Sequence, residues 1–417
     1  MHVETAGGIV LVVATIAALI LANSPLADAY LAFWKTQIDL TVGDFEFSHS
    51  LKHLINDGCM VVFFFVIGLE VKREIVLGEL KDFRVAVLPI TAALGGMVVP
   101  ALLYLSLASA DARRGWGIPM ATDIAFVVGC MVLLGPRIPA SLRVMLLSLA
   151  IADDIGAILV IAIGYSHGFH PAWLAVGGAG IAAVSILARL GLRHFLPYTL
   201  LGILIWYGFH ESGIHATIAG VILGLMTPAR NYIPPEQFAA VMDGARRLLE
   251  GEEWAIERHR GDKLRRFQWA ARETISPLEY LESSLHPWVA FLIMPLFALA
   301  NAGVPIDLSA LGSSTTIAVG VGLVLGKPLG IFLAARLAVL LGLARTPEFG
   351  WPLLFAGGCL AGIGFTMSLF VAELALEGDL LTTAKIGVLL GSLTAAALGM
   401  TLILLIRPNA AAASKSV

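Results

Sequence analysis

Residues 149–158 read Leu-Ala-Ile-Ala-Asp-Asp-Ile-Gly-Ala-Ile and place two adjacent carboxylates, Asp153 and Asp154, inside a long apolar run. Apolar residues dominate both flanks, over 144–149 and 155–163. If this run crosses a membrane, the two acids lie near its midpoint, where a charge is costly and marks a functional site by default. Other polar residues inside the apolar segments are therefore expected to interact with this pair.

The composition is typical of a membrane protein. Of the 417 residues, 58% are hydrophobic and only 14% are charged, whereas about a quarter are charged in soluble domains. The 43 glycines suit closely packed membrane helices. The net charge of −3 gives no reason to expect a nucleic acid as partner. Cys59, Cys130 and Cys359 each lie in an apolar run, which predicts buried thiols and no disulfides.

Twelve apolar segments approach the length of about 20 residues that a membrane span needs. The sequence therefore predicts an all-α polytopic membrane protein with 12 transmembrane helices, forming a single integral membrane domain over residues 1–417. The predicted segments are 8–23, 53–71, 85–107, 117–134, 141–164, 171–190, 195–209, 213–226, 286–303, 316–341, 353–375 and 384–406.

The positions of lysine and arginine predict the orientation. If the N-terminus is cytoplasmic, 21 of the 27 lysines and arginines fall in cytoplasmic segments and 5 fall on the outer side. The remaining one, Lys327, lies inside a span. Because positive residues favour the cytoplasmic side, both termini are predicted to be cytoplasmic.

Two connections between spans are unusual. Residues 36–50 alternate apolar and polar around Gly43-Asp44, which predicts a small outer β-hairpin, with an irregular loop as the alternative. An isolated hairpin is marginally stable, so it is expected to pair with another surface, such as a second subunit. Residues 227–285 predict an extended cytoplasmic loop with amphipathic surface helices, which we favour over a separate regulatory domain.

Three intramembrane charges need partners. Adjacent residues on a helix point about 100° apart, so Asp153 and Asp154 are expected to face different groups. Lys327 has apolar neighbours for about ten positions on either side and lies too deep to reach water easily. It is expected to pair with a carboxylate or with the C-terminal end of a helix, and a purely structural ion pair is the alternative.

Two predicted spans contain signs of interruption. In the fourth, Pro119 removes a backbone donor, and Thr122 and Asp123 follow closely enough to satisfy a freed helix end. In the eleventh, residues 357–368 contain four glycines and two hydroxyls. A simple proline kink and a tight packing face are the alternatives. Interrupted helices in both halves of a chain indicate a transporter site.

Motifs throughout the chain, read together, resemble the NhaA-type sodium/proton antiporters. The match runs in order from about residue 7 to residue 408, and the combination is specific although each piece alone is not. The motifs are Gly-Leu-Glu-Val-Lys-Arg-Glu (68–74), Ala-Thr-Asp-Ile-Ala-Phe (121–126), Ile-Ala-Asp-Asp-Ile-Gly-Ala (151–157), Leu-His-Pro-Trp-Val (285–289), Phe-Ala-Leu-Ala-Asn-Ala-Gly-Val (297–304), Gly-Lys-Pro-Leu-Gly (326–330) and Gly-Ile-Gly-Phe-Thr-Met-Ser (362–368).

The resemblance implies an architecture and an assembly. It implies a multi-pass protein of the bacterial inner membrane, with helices 3–5 and 10–12 as two inverted repeats. The interrupted helices 4 and 11 would cross near the middle of the membrane. It also implies a homodimer held largely by the outer hairpin. No cofactor is expected, because Na⁺ and H⁺ are the transported ions.

The resemblance also implies roles for individual residues. Asp154 would be the main Na⁺ ligand, with Asp153 beside it and paired with Lys327 in one state. The other residues of the ion site would be Thr122, Asp123 and Asp57. The residues matching positions linked to the pH response are Glu70, Arg73, Glu74, His215 and Glu282. The chain departs from the family pattern in the loop, where Glu279, Tyr280 and Ser283 replace basic residues and a histidine.

The predicted function is secondary transport, not enzymatic catalysis. We expect electrogenic exchange of cytoplasmic Na⁺ or Li⁺ for external protons, activated at alkaline pH, for sodium and pH homeostasis. A sodium-coupled organic-solute symporter would need a roomier polar cavity. An intramembrane aspartyl protease could use Asp123 and Asp154 but would leave Lys327 without a role. Two opposed interrupted helices do not favour a channel.

Overall fold

Apolar helices dominate the computed structural model, which describes residues 2–42, 45–166, 168, 170–192, 195–230, 243 and 275–406. Helices suit a lipid environment because they satisfy their backbone groups internally. The helices are α1 (His2–Ala22), α2 (Ala27–Lys35), α3 (Leu51–Val76), α4 (Phe83–Leu107), α5 (Ile124–Leu134), α6 (Ala140–Gly164), α7 (Pro171–Arg189), α8 (Phe195–Ser212), α9 (Thr217–Met226), α10 (Pro277–Asn301), α11 (Ser314–Leu340), α12 (Trp351–Ala361), α13 (Phe365–Ala375) and α14 (Gly378–Leu405).

Shorter irregular helical elements also occur. The 3₁₀ segments are Glu79–Lys81, Ala110–Met120, Gly135–Arg137 and Leu308–Gly312. Single π turns interrupt three of the long helices, namely α3, α10 and α11. They lie at Ile55–Cys59, Val289–Ile293 and Gly322–Gly326.

The predicted multi-pass membrane character is confirmed. Within the described ranges, seven helices are long and apolar enough to cross a membrane, and up to ten spans result if each of three bent helix pairs counts as one. Helices lie at all of the predicted span positions. However, α9 has only 10 residues, so the number of twelve crossings stays a prediction, as do the inverted repeats.

A two-stranded sheet lies where the hairpin was predicted. Strands β1 (Gln37–Val42) and β2 (Phe45–Ser50) run antiparallel, with Gln37 opposite Ser50. The chain passes directly from β2 into α3, where the Ser50 hydroxyl accepts a hydrogen bond of 3.2 Å from the His53 backbone N–H. The hairpin therefore lies against the first turn of a membrane helix.

Most of the predicted loop over 227–285 falls outside the described residues, which leave out 231–242 and 244–274. The last part of that range is helical, because α10 already begins at Pro277. The start of α10 is stabilised by a capping box, in which the Ser276 and Glu279 side chains each accept a hydrogen bond from the other residue's backbone N–H.

Two helices break where interruptions were predicted. The 3₁₀ segment that ends at Met120 and helix α5 meet at a bend of 47°, and α12 and α13 meet at a bend of 50°. The residues between them, 121–123 and 362–364, have no helical structure or only a turn. A third bent pair, α1 and α2, meets at 113°.

Glycines allow two helix pairs to approach closely. Gly95 on α4 and Gly330 on α11 face each other so tightly that a methyl group on either would strike the carbonyl of the other. In the same way, a Cβ at Gly224 on α9 would lie 2.8 Å from the Cα of Gly68 on α3. Small residues at such contacts are a usual feature of membrane helix packing. The first contact fixes the position of Lys327, one turn before Gly330.

Candidate ion-binding site

The two helix breaks satisfy each other's polar groups. The Asp123 N–H donates to the Ile363 carbonyl at 2.7 Å, and the Thr122 hydroxyl donates to the Ala361 carbonyl at 2.9 Å. In return, the Thr366 N–H donates to Asp123 Oδ2 at 3.1 Å, and the Thr366 hydroxyl donates to the same oxygen. Because lipid supplies no hydrogen bonds, unwound backbone at this depth needs such protein partners. The two interrupted segments are therefore held together by hydrogen bonds between them.

Hydroxyl groups beyond the predicted residues also form hydrogen bonds between the two interrupted segments. The Ser368 hydroxyl donates to the Ile118 carbonyl at 2.7 Å. Asp123 also caps α5, where its Oδ1 accepts from the Phe126 N–H at 3.3 Å. The roles of Thr366 and Ser368 were not predicted individually. The only signal for them was two hydroxyls among the glycines of an apolar segment.

Lys327 connects the breaks to the acidic pair. Its side chain is 0% exposed. Its ammonium group donates to Asp153 Oδ2 at 2.6 Å and also to the carbonyl of Met120, the last residue of the 3₁₀ segment. It therefore pairs with a carboxylate and with the C-terminal end of a helical segment at once, which were the two partners expected for a cation at this depth.

Asp154 has a different environment from its neighbour. Its side chain is 4% exposed, yet no hydrogen bond or ion pair to it occurs within the described part of the chain. Asp153 Oδ1 is likewise buried without a hydrogen-bond partner there. Two buried carboxylates thus lie near a single ammonium group, which pairs with Asp153. A buried charge without a partner is costly, so the cluster favours uptake of a cation or a proton.

Asp57 lies in another cluster. It is part of the π turn near the start of α3, and its described contacts are with histidines. Its Oδ2 lies 3.1 Å from His53 Nε2 and 3.6 Å from His210 Nδ1. The structure thus groups Asp57 with the hairpin end of the molecule, and its role in the ion site stays a prediction.

Most of the residues predicted for the pH response come together at the other end of α3. Arg73 pairs with Glu282 on α10, and its guanidinium lies 3.6 Å from Glu74. His286, which the sequence did not single out, lies 3.8 Å from Glu70. These contacts join the ends of α3 and α10. The resemblance pointed to these residues, whereas the pairing between helices required the fold.

His215 lies apart from that group. Its Nδ1 is 2.7 Å from the Thr217 hydroxyl, and its ring packs edge-on against Phe370 with the centroids 5.6 Å apart. These contacts are those of a core histidine with a satisfied polar atom.

A second buried charge cluster was not predicted. Glu373 on α13 pairs with Lys52 at 2.6 Å and also with Lys385 on α14. Lys385 is only 6% exposed. The three residues come from distant parts of the chain, so only the fold shows that they are partners.

Comparison with known proteins identifies the family. The sequence model of the family described as Na⁺/H⁺ antiporter 1 matches residues 1–403. A Na⁺/H⁺ antiporter NhaA of Rhodopirellula baltica is 55% identical over 411 residues, covering 98% of this chain and 93% of that protein. An NhaA of Rhizobium meliloti is 50% identical over 412 residues, covering 98% and 94%.

A third relative agrees. An NhaA 2 of Vibrio vulnificus is 47% identical over 403 residues, covering 96% of this chain and 90% of that protein. The resemblance found in the motifs is thus confirmed over nearly the whole length. The chain belongs to the Na⁺/H⁺ antiporter family, whose members are secondary transporters and not enzymes.

Proposed function

We propose that this chain exchanges cytoplasmic Na⁺ or Li⁺ for external protons across the bacterial inner membrane, and so contributes to sodium and pH homeostasis. The observation that carries the proposal is the buried Asp154 carboxylate, which has no hydrogen bond or ion pair among the described residues, next to the Asp153–Lys327 ion pair. The three relatives described above are all named Na⁺/H⁺ antiporters, which supports Na⁺ and H⁺ as the exchanged ions. They support neither the symporter nor the protease.

The chemistry of the cluster suits Na⁺. Na⁺ is a hard cation that prefers oxygen ligands. We assign Asp154 as the main ligand and Asp153 as its neighbour, with Thr122 and Asp123 at the adjoining helix breaks. The hydroxyls, carboxylates and unwound carbonyls at these positions supply oxygen atoms, and the surrounding helices exclude bulk water.

Competition between Na⁺ and H⁺ for the same carboxylates explains exchange. Na⁺ binding at Asp154 releases protons, and protonation releases Na⁺. If the site opens to one side of the membrane at a time, this competition alone couples the two flows. Asp153 and Lys327 form a second group that can gain or lose a proton, so more than one proton per Na⁺ is available. We therefore propose electrogenic exchange.

We further propose that the ion pairs between α3 and α10 carry the response to pH, with activation under alkaline conditions. Glu70, Arg73, Glu74 and Glu282 meet there, joined by His286. Loss or gain of protons in this group would change how firmly the two helices are held together.

We also propose that the protein is a homodimer with both termini in the cytoplasm. The hairpin is a two-stranded sheet at one end of the bundle, and a sheet this small gains stability from a second surface. The distribution of lysine and arginine supports the orientation.

Proton movement in everted vesicles tests this function. Respiration acidifies the vesicle interior, a pH-sensitive dye reports the gradient, and Na⁺ is added to the exposed cytoplasmic face. We expect Na⁺ or Li⁺ to dissipate the gradient, whereas choline does not, and we expect the response to grow at alkaline pH. Vesicles without the protein are the control. An absence of Na⁺-dependent dissipation, or a response only when an organic solute is present, contradicts the proposal.

A further inference from the structure

Three histidines from separate elements meet at the hairpin end of the molecule. His49 lies on β2, His53 in the first turn of α3 and His210 near the end of α8. Donor nitrogens of the three lie within 4.8 Å of one another. The His49 and His53 rings stack with centroids 4.5 Å apart, and the His210 ring meets that of His49 edge-on at 5.5 Å.

A carboxylate completes the group. Asp57 Oδ2 lies 3.1 Å from His53 Nε2 and 3.6 Å from His210 Nδ1. Ligands about 2.0–2.1 Å from a tetrahedral ion are about 3.3 Å from one another, so the two distances from Asp57 Oδ2 match atoms that share an ion. Asp57 also belongs to the π turn Ile55–Cys59, and such turns are frequent at functional sites.

One nitrogen of the cluster lacks a hydrogen bond. His53 Nε2 is buried and makes no hydrogen bond to any residue described in the structure, although Asp57 Oδ2 is close to it. A polar atom left in this way is costly to bury. A hydrogen-bonded pair of histidine and aspartate would remove that cost but is not formed here. A metal ion bound by both atoms would remove it.

We propose that these three histidines and Asp57 form a Zn²⁺ site that fastens the hairpin to helices α3 and α8. Three imidazole nitrogens and one carboxylate oxygen are ordinary ligands of tetrahedral Zn²⁺. Hard cations such as Na⁺, Mg²⁺ and Ca²⁺ prefer all-oxygen sites, so this set selects against them. We expect the rings to rotate on metal binding, so that the four ligand atoms reach tetrahedral spacing. The ion has a structural role, separate from the chemistry of Asp153 and Asp154.

Metal binding to the purified full-length protein tests the site directly. The protein is prepared in detergent micelles with a removable affinity tag that contains no histidine. Co²⁺ is the probe, because its visible absorption bands report tetrahedral coordination, and Zn²⁺ is the competitor. We expect one Co²⁺ per chain with tetrahedral bands, and we expect one equivalent of Zn²⁺ to displace it.

Histidine variants locate the binding. His49→Gln and His210→Gln should each weaken Co²⁺ affinity by at least about tenfold, and the double variant should abolish the bands. His170→Gln is the matched control. His170 is exposed at the same end of the bundle, where its N–H bonds the Ser212 carbonyl. It should bind Co²⁺ as the unaltered protein does.

A second measurement addresses folding of the variants. We expect Zn²⁺ to raise the thermal unfolding midpoint of the unaltered protein and of His170→Gln, and to leave that of the double variant unchanged. Circular dichroism establishes that each variant is helical. The proposal is overturned if the unaltered protein binds no stoichiometric Co²⁺, or if the double variant retains the bands or the Zn²⁺-dependent stabilisation.

Discussion

Two buried clusters of lysine and carboxylate differ in their balance of charge. In the first, Lys327 pairs with Asp153, while Asp154 lies next to them with no ion pair in the part of the chain that the structure describes. In the second, Glu373 accepts from two ammonium groups, those of Lys52 and Lys385. Both occur inside an apolar helix bundle, but one has a surplus carboxylate and the other a surplus lysine.

We expect this difference to separate the proposed ion site from a structural ion cluster. A carboxylate that already contacts two ammonium groups has little affinity left for Na⁺, and the nearby positive charge repels the ion. A carboxylate beside a neutral ion pair has no counter-ion of its own, so binding of a cation or a proton is favourable there. We therefore base the proposed ion site on unbalanced buried negative charge and not on the burial of charge alone.

The largest effect is expected from removing the surplus charge. Asp154→Asn should reduce Na⁺-dependent proton movement on the order of 100-fold, because losing one partner of a buried charge interaction costs about 2–5 kcal/mol. The measurement is dye fluorescence in everted vesicles across a range of Na⁺ concentrations. Glu373→Gln, in the cluster with the surplus lysine, is the control and should leave the half-saturating Na⁺ concentration within about twofold.

Substantial Na⁺ uptake by vesicles of Asp154→Asn, driven by a pH gradient, contradicts the assignment of Asp154. An equal loss of Na⁺ affinity in both variants contradicts the distinction between the clusters.

The next largest effect concerns the lysines. Lys327→Ala leaves Asp153 buried without a counter-ion, which should lower the free energy of unfolding by about 3–5 kcal/mol. Lys385→Ala should cost less, because Lys52 still neutralises Glu373 at 2.6 Å. Equilibrium unfolding in mixed detergent micelles measures both values, and the deficit of Lys327→Ala should shrink at acidic pH as Asp153 takes up a proton.

Transport measurements on Lys327→Ala test whether Lys327 takes part in proton coupling. We expect its proton coupling to change, since it loses one of the groups that carry or gate protons. Unchanged coupling would show that Lys327 is a structural counter-ion only, like Lys385.

The smallest effect is expected at the crossing of the two breaks. Thr366→Val removes the hydroxyl that donates to Asp123 but keeps the backbone N–H at 3.1 Å. The loss of one hydrogen bond to a buried charged group should cost about 1–3 kcal/mol of stability. Thr366→Ser retains the hydroxyl and is the control. Equilibrium unfolding measures both variants. If both unfold at the same denaturant concentration, this hydroxyl contributes nothing to the contact between the two helix breaks.

Much of the architecture was predictable because the lipid environment limits the options. Long apolar segments gave the helix positions, and the alternation over residues 36–50 gave the two strands. The breaks near Pro119 and in 357–368 were predictable because proline and clustered glycines disfavour a continuous helix. The start of α10 at Pro277 was missed, because a charged, partly polar first turn resembles a loop.

Partner choice was less predictable. The depth of Lys327 required a carboxylate or a helix end but did not say which, and the structure shows Asp153 and Met120 together. Nothing in the local pattern indicated that His210 would reach His53, or that Glu373 would join two lysines from other helices.

The sequence by itself determined that the chain is a membrane protein, where its helices break, and that Asp153, Asp154 and Lys327 form its most costly charges. These properties depend on hydrophobicity and backbone chemistry, which act locally. Only the tertiary structure decided which of the two aspartates is neutralised and which is left over, because a helix fixes the direction of a side chain but its partner comes from another helix. Because Lys327 on α11 pairs with Asp153 on α6, Asp154 is left as the surplus charge of the site.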